Sequence, residues 1–473
     1  MTPGMSTPTL DERPAQGAKP VTRSWSESDR FVPRTFVRPA QRFMDQEAAG
    51  GIVMLVAAVV AIVWANSPFA DSYEHLWESR VVFELGGVVD LSHLDLREWV
   101  NDGLMTFFFF VAALEMKREL STGALSDRKA ATLPALAALG GMLVPAAIYA
   151  AVNAGSDGAG GFGIPMATDI AFAVGVVTLL GRRVPIGARL FLLALAIVDD
   201  IGGIIVIAVF YADGLSVGWL ALAAAGIALA TLMNRVDIRS LVPYAVVGVF
   251  AWYALLQSGV HSTIAGVALG LLTPAWPYRS PRRFAPAARR MVDDIERSYY
   301  SSVITTEDVE RNESTMGDIV RLAHESTSPL ERLEHRLTPW TAYVIVPVFA
   351  LANAGVVLSR DSMADAATST VGIGIFLGLV VGKTVGVSAA TWLAVRLRLG
   401  VLPEGTTWGH VVGLAATAGV GFTVALFVTG LSFDSAALTS DAKIAILAAS
   451  IVAGTLGYLL LRAASARQEA AAG

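Results

Sequence analysis

The stretch LFLLALAIVDDIGGIIVIAVFY, Leu190 to Tyr211, decides the fold class of this chain. It is long enough to cross a bilayer as one helix, which takes about 20 residues. Yet it carries two adjacent carboxylates, Asp199 and Asp200, in otherwise apolar surroundings. One charged side chain at mid-membrane costs roughly 2.5 to 3.5 kcal/mol on insertion scales. A chain that keeps two such groups side by side is expected to use them, most simply to hold a cation or a proton.

The rest of the composition agrees with a membrane setting. Of 473 residues, 54% are hydrophobic and 16% charged, and the mean hydropathy is +0.57. Soluble domains carry about 25% charged residues. The apolar residues come in long blocks, so the chain reads as an integral membrane protein surrounded by membrane lipids. Net charge is -5 and the basic residues are scattered, which gives no nucleic-acid footprint. Cysteine is absent. Disulfides, thiolate metal sites and thiol catalysis are therefore excluded. The six histidines are too dispersed to form a metal centre. No soluble protein partner is indicated.

Twelve apolar segments are expected, near 50–66, 100–117, 130–153, 165–180, 187–211, 216–233, 240–256, 259–273, 339–357, 370–395, 409–431 and 441–461. Lys and Arg concentrate in alternate connections. Lys117, Arg118, Arg128 and Lys129 lie in the second, Arg182 and Arg183 in the fourth, and Arg235 and Arg239 in the sixth. The third and fifth carry only Asp157 and Asp213. This alternation predicts an even number of spans with both termini in the cytoplasm. Residues 1–45 form a Pro/Ser/Thr/Arg-rich N-terminal extension that is expected to be disordered. The transmembrane part is then divided into 46–273 and 339–461, separated by a charged cytoplasmic connection over 274–338 and followed by a tail over 462–473. A short outer hairpin is expected near 81–90, in VVFELGG.

Further polar residues sit inside the apolar segments. GIPMATDIAFAVG places Thr168 and Asp169 mid-segment, after Pro165 and before Gly175. A charged carboxylate there needs partners other than lipid, and irregular backbone is tolerated at depth only where protein or a cavity lines it. Asp199 and Asp200 point about 100° apart on a helix, so one can face an ion path while the other faces a neighbour. Neighbouring carboxylates also titrate as a coupled pair, a physical route to proton uptake. Lys383, deep between glycines in GLVVGKTVG, asks for an acidic partner, with Asp199 or Asp200 the natural one. A purely structural salt bridge explains the same lysine. Gly419, Gly421 and Thr423 permit a second interruption, matching the break signature around Asp169. Interrupted helices in corresponding halves mark the substrate site of many secondary transporters. Glu115 and Glu119, at the mouth of the second segment beside Lys117 and Arg118, fit either local pairing or a pH response. Read from these residues alone, a cation/proton exchanger, a passive cation channel, an intramembrane aspartyl enzyme and a structural membrane protein all stand as alternatives.

The stretches NDGLMTFFFFVAALEMKREL, PMATDIAFAVG, LALAIVDDIGGIIVIAVFY, GVHSTIAGVALG, PVFALANAGV, GLVVGKTVG and GVGFTVALFVTGLSF occur in this order from about residue 45 to 461. Together they resemble the bacterial NhaA family of sodium/proton antiporters. The resemblance implies an all-α polytopic membrane protein of twelve transmembrane helices, with inverted repeats and two interrupted, crossing helices. It implies a secondary active transporter of the bacterial inner membrane, not an enzyme. Sodium or lithium would be exported against inward protons, two protons per sodium and electrogenically, under pH control and by alternating access. Matching motifs place Asp200 as the principal sodium and proton carboxylate, a transient metal contact shared with Asp199. Lys383 lies near Asp199, and Asp169 and Thr168 lie by the crossing. Glu115 and Glu119 fall in the region tied to pH response. The family needs no cofactor beyond the transported ions, and a homodimer through the outer hairpin is implied.

Overall fold

The computed structural model describes residues 49–82, 84–85, 89–123, 125–212, 214–238, 240–299 and 305–472. The N-terminal extension over 1–45, Asp213, Arg239 and the centre of the expected hairpin lie outside the described residues. Secondary structure is almost entirely helical.

Helix α1 (Ala49–Ala65) is followed after a sharp bend of 117° by α2 (Ala70–Trp77). Strands β1 (Glu84–Leu85) and β2 (Val89–Asp90) pair antiparallel, Glu84 opposite Asp90 and Leu85 opposite Val89. Helix α3 (Leu96–Ser121) opens on a capping box. The Asp95 carboxylate accepts from the Glu98 amide at 2.7 Å while Glu98 accepts from the Asp95 amide at 2.9 Å. A π-helical turn over Trp99–Leu104 follows the cap. Helix α4 (Arg128–Val152) is capped by Asp127. After it come a 3₁₀ helix over Asp157–Met166 and α5 (Ile170–Leu179).

The quoted stretch forms α6 (Ile186–Phe210), about 37 Å long at 1.5 Å per residue. Then follow α7 (Val217–Arg235), α8 (Leu241–Leu256) and α9 (Thr263–Leu272). The charged connection carries α10 (Pro281–Tyr299) and α11 (Thr306–Glu325). Helix α12 runs over 329–353 with a π-helical turn inside it. The chain ends in α13 (Arg360–Thr368), α14 (Thr370–Arg396), α15 (Trp408–Thr417), α16 (Phe422–Ser432) and α17 (Ala436–Ala472).

Six of these helices are long and apolar enough to cross a membrane: α3, α4, α6, α7, α14 and α17. The count reaches nine when the three bent pairs are each taken as one span, and α8 and α9 are shorter apolar helices. Large apolar side chains such as Val63, Leu143, Val209 and Val246 are exposed on this bundle. An apolar exterior on that scale is what lipid, not water, accommodates. The chain is therefore an all-α polytopic membrane protein with interrupted helices.

Two differences from the sequence reading matter. The connection over 67–99 contains α2 as well as the strand pair. The charged connection over 274–338 contains α10, α11 and the start of α12 among its described residues. Its apolar residues recur at helical spacing within a highly charged composition, and Thr305 and Ser328 supply N-caps.

Small residues set how closely the central helices approach. A Cβ on Gly140 of α4 would lie 2.3 Å from the Gly386 carbonyl oxygen of α14, and one on Gly386 would lie 2.2 Å from that of Gly140. The two backbones touch there, as small residues allow in membrane helices. The α4–α6 contact differs. A Cβ on Gly202 of α6 would meet the Met142 sulfur at 2.1 Å, so a flexible side chain fills that joint.

Candidate functional site at the helix crossing

Both interrupted helices break within the protein interior. The 3₁₀ helix and α5 meet at 45°, and α15 and α16 meet at 46°. Pro165 lacks an amide hydrogen and Ala167 is extended, so the first helix ends before Thr168. Gly419 and Gly421 open the second break. A Cβ on Gly419 would lie 2.3 Å from the Leu379 carbonyl oxygen, so only glycine permits this approach of the chain to α14.

The two breaks satisfy each other's backbone. Thr168 is fully buried, and its hydroxyl donates to the Ala418 carbonyl at 2.8 Å. The Asp169 amide donates to the Val420 carbonyl at 2.7 Å. In return the Asp169 carboxylate serves both helix starts. It accepts from the Phe172 amide of α5 at 3.1 Å, and from the Thr423 amide and hydroxyl of α16 at 3.1 Å and 2.7 Å. Two helix N-termini thus point their partial positive ends at one carboxylate. Thr423 is the residue whose role the sequence did not disclose. Its partner is 254 positions away, and nothing local connects them.

Asp199 has a different partner. The Lys383 ammonium donates to its Oδ2 at 2.7 Å, with both side chains essentially inaccessible to solvent. A π-helical turn over Gly378–Gly382 precedes Lys383 and aims it. Gly141 of α4 leaves room beside the lysine, whose Nζ would lie 4.0 Å from a Cβ there. Asp199 Oδ1 is buried with no hydrogen-bond partner among the described residues. The structure thus selects Asp199, of the two candidates, as the partner of Lys383.

Asp200 is half-buried on α6. Its carboxylate makes no hydrogen bond or ion pair among the described residues. It feels the negative charges of Asp199, Asp169 and Glu115 and the positive charge of Lys383. Of Asp169, Asp199 and Asp200, the first is engaged by helix ends and the second by a lysine, while Asp200 makes neither kind of contact among the described residues.

The acids at the end of α3 form a separate group. Arg118 pairs with Glu334 of α12 and lies 3.2 Å from Glu119. Glu115 is half-buried one turn earlier, and Lys117 donates to the Leu271 carbonyl at the end of α9 at 2.6 Å. Glu334 lies ahead of the apolar part of α12. Burial pushes its carboxyl above the ordinary range, against the opposing pull of Arg118. Sequence reasoning passed over Glu334, because in ERLEHR it is one acid among several charges.

Comparison with known proteins bears on the same residues. The family described as Na+/H+ antiporter 1 matches residues 41–461. The Na(+)/H(+) antiporter NhaA 2 of Sorangium cellulosum is 46% identical over 452 residues, which cover 95% of each chain. The NhaA 2 antiporter of Myxococcus xanthus is 45% identical over 463 residues, 97% of this chain and 96% of that one. The NhaA antiporter of Oleidesulfovibrio alaskensis is 45% identical over 426 residues, 90% of this chain and 93% of that one. With its charged core and its helix breaks inside the matched region, the chain belongs to the NhaA family of Na+/H+ antiporters.

Proposed function

We propose that this protein exchanges sodium or lithium ions for protons across the bacterial inner membrane, with Asp200 as the group that binds them in turn. The observation that carries this reading is the free Asp200 carboxylate beside two engaged ones. A cation at Asp200 replaces a proton there, and its remaining oxygen ligands would come from Asp199 and from backbone or hydroxyl oxygens near Thr168. Sodium near Asp199 competes with Lys383 for the same carboxylate. Release of that lysine, with loss of its proton, would supply the second proton of a two-for-one, electrogenic exchange. Alternating access would come from movement of the two interrupted helices against their neighbours.

Twelve spans follow if the nine long or bent units are joined by α8, α9 and α12. Both termini, the tail over 462–473 and the 274–338 connection would then lie on the cytoplasmic side. There Glu115 and Glu119, with Arg118 and Glu334, would tune activity to pH. The strand pair β1–β2 would form the contact in a homodimer.

The test uses sealed vesicles holding the full chain and an imposed pH gradient, with membrane voltage followed at the same time. Sodium or lithium should dissipate the gradient, and voltage should change with it. Asp200→Asn should abolish exchange without loss of fold. Normal exchange by that variant would overturn the assignment, and sodium flux without proton movement would point to a channel.

A further inference from the structure

The connection between α9 and α12 is nearly neutral as a whole, but its charges are sorted. The stretch RSPRRFAPAARR, residues 279–290, holds five arginines and no acid, while the acids of the connection all come after it. On α10 the side chains of Phe284, Ala287, Met291 and Ile295 are half-buried, and α10 packs against α11. At about 100° per residue, Arg282 and Arg289 fall opposite this stripe and Arg283 and Arg290 on its flank, and all four are exposed. Arg279 pairs with Glu325 at 2.6 Å. The other four make no ion pair among the described residues. A cleft of roughly 520 Å³ opens at this end, walled by Arg279, Arg282, Arg283 and Arg290, with Phe284 and Leu322 at its sides.

The cleft is held close to the end of the short apolar helix α9, which the proposed topology counts as a span. Only residues 273–277 separate its first lining residue, Tyr278, from the end of α9. The α9–α10 connection, 273–280, is pinned by the Leu330 amide on the Pro274 carbonyl at 3.2 Å and by the Arg279 amide on the Glu325 carbonyl at 2.9 Å. Within it Trp276 and Tyr278 are 67% and 59% exposed. Exposed Trp and Tyr beside a span end suit the headgroup layer, and clustered arginines just beyond a span suit anionic lipid. A guanidinium fork matches two phosphate oxygens at once.

We propose that the arginine-walled cleft of α10 binds the phosphate headgroup of an anionic phospholipid in the adjacent leaflet, fastening the α10–α11 pair to the bilayer surface. The proposal requires a membrane-spanning chain and does not depend on how Asp200 works.

The lack of cysteine allows a direct test. Ala285 is exposed on α10 and outside the cleft, so Ala285→Cys in the full chain accepts one fluorophore. The labelled protein is placed in phosphatidylcholine vesicles doped with spin-labelled phosphatidylglycerol or, separately, with spin-labelled phosphatidylcholine. Phosphatidylglycerol should quench more strongly, and the preference should fade near 1 M salt, where the Debye length is about 3 Å. Adding Arg282→Gln, Arg283→Gln and Arg290→Gln should remove the preference, at roughly fivefold per arginine, while sodium/proton exchange persists. A lysine at each of these positions, which keeps the charge, should retain part of the preference. Equal quenching by the two lipids, no quenching by either, or a preference that survives the glutamine variant would overturn the proposal. So would equally strong protection by water-soluble glycerol phosphate, which would mark a free-anion site. Quenching that appears only at high protein density would mark a contact between copies and would also overturn it.

Discussion

The charges at the helix crossing and those at the end of α3 are organised differently. At the crossing each buried group depends on one arrangement. Lys383 holds Asp199, and the two helix starts hold Asp169. At the end of α3, Arg118 is shared between Glu334 and Glu119 and is 42% exposed. Water can replace a lost partner at the second site and cannot at the first. Removing one charge should therefore be costly at the crossing and mild at the rim, because an unpaired buried ion has no substitute ligand.

Four substitutions test that contrast, in descending order of expected effect. Asp200→Asn should bring exchange to background in the vesicle assay while the melting temperature in detergent changes little, since no partner is lost. A large loss of stability would mean that Asp200 has a structural partner after all. Lys383→Ala strands Asp199 in the interior and should cost about 3–5 kcal/mol of stability. A second change, Asp199→Asn, should restore most of it. If the double variant is no better than the single one, the pair is not the source of the loss. Thr423→Val removes the hydroxyl donor to Asp169 and should cost about 1.5–3 kcal/mol, the range for a hydrogen bond to a charged group. An effect near zero would show that the backbone donors alone hold the crossing.

The smallest effect concerns Glu334. Its carboxyl lies above the ordinary range because burial disfavours the charged form. A raised carboxyl binds its proton more tightly folded than unfolded. Its stabilising contribution is thus complete below the unfolded value and is lost as pH rises through the folded one. Glu334→Gln, which cannot ionise, should become more stable relative to the parent as pH increases across that interval. Thermal unfolding at a series of pH values measures this, and a difference independent of pH would remove the argument.

What was legible in the sequence follows from cost. Asp169, Asp199, Asp200 and Lys383 stand out because an ionisable group in an apolar stretch is expensive, and one segment suffices to see it. Pro165, Gly419 and Gly421 announced breaks for local steric reasons. Partners were less legible. The choice of Asp199 over Asp200 for Lys383 depends on how α14 rolls against α6, and the Thr423 contact depends on two breaks meeting in space. The folded connection over 274–338 was obscured by its charge, because half-buried positions such as Phe284, Met291 and Ile295 are spread thinly among arginines and acids.

The two joints around Lys383 also differ mechanically. Helices α4 and α14 meet backbone to backbone at Gly140 and Gly386, a contact with no side chain to yield. Helices α4 and α6 meet through Met142, whose unbranched thioether changes rotamer at little cost. Lys383 therefore sits on a helix that meets α4 through backbone, and Asp199 and Asp200 on one that meets it in part through a flexible side chain. If Lys383 and Asp199 part during exchange, the Met142 contact can adjust by side-chain rotation, whereas the Gly140–Gly386 contact can only slide or open as backbone.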